Sequence, residues 1–168
     1  YQIDEGESAS DYAKNIMGLM ASCNDPGDYV NLLVSAQDEN GKFIIGQWDD
    51  WSTTVAYCIM ALDAAGAEYD VNAAVNALMG YSSGGNYGDV DTTAMCVTAL
   101  AGHRGINGVA QLIDSSLTYL KSEQLDSGGF AYIDYYTSEI IENPQSIATV
   151  IQALVANDIN PLSAEWTK

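Results

Sequence analysis

The sequence predicts an all-helical fold assembled from repeated helical hairpins. Three observations carry this. One ten-residue segment recurs four times, a second kind of apolar stretch alternates with it at helical spacing, and a glycine–aromatic turn recurs between the two.

The recurring segments align without gaps. They are Ser10–Leu19, Thr53–Leu62, Asp91–Leu100 and Gln145–Leu154. The fourth column is alanine throughout (Ala13, Ala56, Ala94, Ala148) and the tenth is leucine (Leu19, Leu62, Leu100, Leu154). The seventh holds Ile16, Ile59, Val97 and Ile151. Positions three apart share a helical face, and a small residue in a fixed column lets a neighbouring helix approach closely. Ser10, Thr53 and Asp91 open the first three segments as capping residues, and Asn143 followed by Pro144 opens the fourth.

The alternating helices are marked by Val30, Leu33 and Val34, by Val71, Val75, Leu78 and Met79, and by Ile113, Leu117 and Leu120. Asp28, Asp70 and Asn107 are their candidate caps. The turns read Gln37 to Gly41 and Phe43, then Gln124 to Gly128 and Phe130, with Gly85-Asn86-Tyr87 as a short version. Glycine permits the positive φ that stops a helix sharply. The aromatic then folds back as a plug, and the glutamine bonds exposed backbone ends. Seven helices follow, near 10–22, 28–37, 52–65, 70–81, 91–103, 107–122 and 144–157.

Composition excludes several classes. With 23 acidic and 5 basic residues the net charge is −18, so nucleic acid and anionic lipid surfaces are disfavoured as partners. No apolar run is long enough to span a bilayer, and the expectation is a sequence without a signal peptide or basic leader. The first residue is Tyr1 rather than Met, which suggests a piece of a longer protein. The length suits one domain, and the acidic balance fits an extracellular protein. Cys23, Cys58 and Cys96 are too few and too scattered for a disulfide framework or a zinc site; Cys58 and Cys96 read as small core hydrophobes.

Together, the Gln-x-x-x-Gly-x-aromatic turn and the helix opening Asp89-Val-Asp91-Thr-Thr-Ala94 resemble the repeats of the squalene-cyclase and prenyltransferase α/α-toroid superfamily. Complement-type thioester domains, cobalamin carriers and large bacterial surface proteins share that fold. The resemblance spans nearly the whole chain. It implies an α/α-toroid-like array in which the four aligned segments are inner helices and the other three are outer. About half a ring is present, an open arc with apolar ends able to self-associate, and Pro161–Trp166 looks like the lead-in to another outer helix.

The resemblance also supplies the catalytic candidates. Class II terpene cyclases carry Asp-x-Asp-Asp-Thr-Ala here, with the middle aspartate as general acid, which would be Asp91 supported by Asp89. Thr92 replaces the third acid. Alternatively Asp91 caps a helix and Asp89 is solvated; Thr53 and Gln145 in the Asp91 column favour that reading. No Asp-x-Cys pair is present for zinc-dependent prenyl transfer, and His103 sits at a helix C-terminus, where the dipole favours it. The thioester motif Gly-Cys-Gly-Glu-Gln is absent. No metal site and no cofactor are expected.

Aromatic residues gather in the turns. Trp48 and Trp51 flank two aspartates, and Tyr132, Tyr135 and Tyr136 lie in a long loop from Glu123 to Asn143. Trp48, Trp51, Tyr132 and Tyr135 are therefore the ligand-binding candidates, for a sugar, a cobalamin or a protein partner. The leading expectation is a non-catalytic recognition or scaffold module of a secreted or cell-surface bacterial protein, with the cyclase-like enzyme as its alternative.

Overall fold

The computed structural model describes residues 8–134, 136–137 and 139–168. Its described residues are mainly helical: seven α-helices, one 3-10 turn and one small antiparallel hairpin. The chain clusters into two compact units, residues 1–81 and 82–168.

The first unit holds α1 (Ala9–Ala21), α2 (Gly27–Ser35), α3 (Ser52–Ala65) and α4 (Val71–Gly80). The marked helices α1 and α3 pack side by side, with α2 against α1 and α4 against α3. Gly66 ends α3 in the left-handed region, φ 65°. The turn after α2 is built as its residues require. Gln37 donates to the Asp70 carbonyl (2.8 Å) and accepts from the Asp70 amide (2.9 Å), tying the turn to the start of α4. Gly41 has φ 84° and lies against α4 so closely that a Cβ there would sit 2.1 Å from the Ala73 carbonyl. Phe43 is fully buried, its ring 6.2 Å from that of Tyr69.

The second unit holds α5 (Val90–Leu100), which tightens into a 3-10 turn at Ala101–His103, then α6 (Val109–Ser122), strands β1 (Ala131–Ile133) and β2 (Ile140–Glu142), and α7 (Pro144–Ala156). Here α5 packs on α7 and α6, and β1 lies against α5 and α7. The turn after α6 repeats the plan of the first unit. Gln124 donates to the carbonyls of Gly128 and Trp166, both at 2.8 Å, and Phe130 is buried. The Pro161–Trp166 segment forms turns rather than a helix start, and Trp166 is buried.

The aligned columns show two packing seams on α3 and α5 and one each on α1 and α7. In α3 and α5 the fourth, sixth, seventh and ninth columns are all buried (Ala56, Cys58, Ile59, Ala61; Ala94, Cys96, Val97, Ala99). In α1 the only fully buried columns are four and seven, Ala13 and Ile16, with Ala9 buried just ahead of the aligned segment. In α7 the complementary pair, Val150 and Ala153, is buried, whereas Ala148 and Ile151 are exposed.

Several expectations are corrected. The capping residues of α1 and α5 are Ser8 and Asp89, not Ser10 and Asp91: each side chain accepts from the third amide on, Asp11 at 3.2 Å and Thr92 at 2.7 Å. The freed amides lie at the helix start, so only a residue just before it can reach them. Trp51 precedes α3 and offers no capping atom, leaving Thr53 inside the helix. Pro26 and Gly108 stand where Asp28 and Asn107 were expected. Asp70 and Asn143 do cap their helices. The 123–143 loop contains the β1–β2 hairpin, paired as Ala131 with Glu142 and Tyr132 with Ile141.

Candidate functional site

The N-terminus of α5, the C-terminus of α6 and the β1–β2 hairpin enclose a half-open cleft of about 400 Å³ in the second unit. Gly88 lets the chain enter α5 at φ 109°. The extended Asp89 then turns its carboxylate back onto the Thr92 amide. Asp91, in the first turn, also lines the cleft. Its Oδ1 is buried and makes no hydrogen bond, an unusual position for a carboxylate oxygen.

From α6, Tyr119 and Glu123 stand four residues apart and so on one face. Burial pushes the Tyr119 phenol up from its ordinary value, and the negative charges of Glu123 and Asp89 push it further.

The hairpin supplies Ala131, Tyr132, Asp134 and Tyr136. It is held from below. Asn143 donates its amide to the Phe130 carbonyl at 3.1 Å. The Glu142 carboxylate lies over Gly129, where a Cβ would sit 1.9 Å from Oε1, and accepts from the Ser127 hydroxyl at 3.0 Å. Asp134 organises the tip by accepting from the amides of Tyr136 (2.8 Å) and Thr137 (3.0 Å), which hold its carboxyl below the usual carboxylate range.

The lining thus brings together carboxylates and phenols, with no lysine, arginine or histidine among the described residues. Nor do any three His, Cys, Asp or Glu side chains among them converge to hold a metal ion. The arrangement presents phenol rings and carboxylates to whatever enters the cleft.

Of the residues singled out from the sequence, Asp89, Asp91 and Tyr132 meet in this cleft. Tyr135 lies outside the described residues. Trp48 and Trp51 belong to the first unit, in the loop between α2 and α3, where they are 72% and 62% exposed. That loop is pinned from beneath by Asp49, only 1% exposed. Its carboxylate accepts from the amides of Ala9 (3.0 Å), Ile45 (2.8 Å) and Gly46 (2.7 Å). Asp50 pairs with Lys42 at 2.6 Å and accepts from the Tyr81 hydroxyl, so the two tryptophans stand on a braced loop.

Four cleft residues, Tyr119, Glu123, Asp134 and Tyr136, were not among the sequence candidates. Tyr136 carried a signal, its place in the tyrosine group, and the Tyr119–Glu123 spacing was a weaker one.

The chain matches no protein-family model, no curated protein and no solved structure.

Proposed function

We propose that this chain is a non-catalytic recognition module with α/α-toroid-type repeats, from a secreted or cell-surface bacterial protein, that binds a small ligand in the cleft at the N-terminus of α5. The observation that carries this reading is the convergence of Asp89, Asp91, Tyr119 and Tyr132 from three separate elements on one open cavity. Tyrosine rings give flat contact area at little entropic expense, and carboxylates fix orientation. The acidic balance of the chain supports an extracellular setting. The exposed Ala148, Ile151 and Val155 on one face of α7 support a scaffold role or self-association alongside binding.

Saturation-transfer NMR against a mixed set of sugars, amines and cyanocobalamin tests the reading. At least one compound should bind the wild-type chain and lose contact in Tyr132→Ala, while the circular dichroism melt stays unchanged. Absence of any binder, or binding indifferent to Tyr132, would count against the cleft.

One observation favours a second reading, a class II terpene-cyclase-like enzyme with Asp91 as general acid and Asp89 beside it: the buried, unpartnered Oδ1 of Asp91. Such an acid needs an enclosed apolar surround as well as a neighbouring carboxylate to stay protonated, whereas this cleft is open to solvent. Cyclisation of a linear polyprenyl substrate, abolished by Asp91→Asn, would replace the binding reading.

A further inference from the structure

We infer that the ligand of this cleft is an organic cation presenting an alkylammonium group. The inference rests on the recognition reading above and specifies its ligand. The first support is charge without a counterion. Asp89, Asp91, Glu123 and Asp134 all line one cavity, and none of them is ion-paired among the described residues. The arginine and lysines of this unit are engaged elsewhere. Arg104 bonds Asn157 at 2.9 Å and pairs with Asp114 at 3.7 Å. Lys121 donates to Gln124 Oε1 at 2.7 Å and to the Glu165 carbonyl. Lys168 donates to the Gln124 carbonyl at 2.8 Å. A concave wall of one sign concentrates ligands of the opposite sign.

The second support is independent of the acids. Tyr119 and Tyr132 line the same cavity, with the fully exposed Tyr136 only at its rim, and the negative face of a phenol ring attracts an ammonium group.

The same features decide against the alternatives. A metal ion needs several oxygens at one point, and no such convergence exists among the described residues. A phosphate or carboxylate ligand would be repelled. A neutral sugar could stack on the tyrosines, but it would leave the negative charge uncompensated. The cavity, about 400 Å³, takes a short alkyl chain with its charged head.

The ammonium could belong to a free polyamine or to a lysine side chain on a peptide, so the test carries both. Isothermal titration of the intact chain is run with spermidine, with the blocked pentapeptide Gly-Gly-Lys-Gly-Gly, with a neutral disaccharide and with calcium ion. The expected result is saturable binding of at least one amine probe, weakened at least tenfold by Glu123→Gln and by Tyr132→Ala. Raising salt from 0.05 to 0.5 M should also weaken it several-fold. Glu123 is exposed, so its variant should keep the wild-type melt; Asp91→Asn serves as a further variant. Spermidine binding without peptide binding assigns the free amine, and the reverse assigns the side chain. Calcium binding alone, or amine binding insensitive to Glu123→Gln and Tyr132→Ala, overturns the inference. Tyr132-dependent binding of the disaccharide with no amine binding overturns the cation class and leaves the recognition reading standing. No binding by any probe overturns the inference, and the mixed-compound NMR screen then decides the reading beneath it.

Discussion

Ile59 and Ile151 occupy the same column of the repeat, yet Ile59 is 0% exposed and Ile151 is 43% exposed. Truncating each to alanine should therefore have unequal effects. At Ile59 the loss of a fully buried side chain and the void left behind cost about 2–5 kcal/mol. Alanine returns a few tenths through its better helix propensity, for a net loss of roughly 2–4 kcal/mol. At Ile151 little more than half of the burial is present to lose. Full burial of an isoleucine is worth about 1.5–3 kcal/mol, so the transfer loss is near 1 kcal/mol and the net about 0.5–1. The gap between the two variants should be roughly 2 kcal/mol. Urea denaturation followed by far-UV circular dichroism measures it as the midpoint shift multiplied by the slope m. The two positions lie in different units, so each variant's transition is compared with the same transition of the wild type. Equal losses, or a larger loss at Ile151, would refute the idea that the fourth and seventh columns of α7 lack the burial their counterparts have.

Three further outcomes are expected. Gly41→Ala should destabilise the chain by roughly 2–4 kcal/mol, because the left-handed backbone penalises a Cβ and the added atom meets Ala73 backbone at 2.1 Å; Gly66→Ala, with open space around it, should lose only the conformational part. A native-state thiol assay should find one reactive cysteine, the exposed Cys23, against three after unfolding, since Cys58 and Cys96 are buried and burial pushes the Cys58 thiol up; rapid modification of a second thiol in the native state contradicts this. The Asp134 tip should loosen in acid: with its folded pKa depressed, its contribution is present above the unfolded value near pH 3.9 and fades as pH falls through the lower folded one. Carboxyl NMR titration locates that folded value, and a value at or above 3.9 would contradict the amide bonds to Tyr136 and Thr137.

What was legible in the sequence was local. The helices show because their apolar residues recur at the helical period, and Phe43, Tyr87 and Phe130 are buried as the turn motif requires. Gln37 and Gln124 bond backbone ends, as a side chain with both donor and acceptor can. What was not legible depends on approach in space. Gly41 reads as a helix stop, yet its absent side chain also admits the backbone of α4, which no local pattern reveals. The strands β1 and β2 are three residues each, too short for alternation to declare itself. Asp49 reads as one of two surface acids between tryptophans, and only the fold places three backbone amides around its carboxylate. In the cleft, Asp91 and Tyr119 are separated by a full helix and a turn along the chain, so their meeting required the packing of α6 on α5.

The double seam on α3 and α5 limits how the chain can change length. Each residue turns an α-helix by about 100°, so a single insertion within either helix would swing one seam out of line with the other and strand buried alanines opposite bulky neighbours. Growth by an entire hairpin preserves that angular phase, because every duplicated unit brings both faces with it. Length polymorphism should therefore fall in the connections, such as 22–26 or the tip beyond β1, or arrive in steps of one whole repeat.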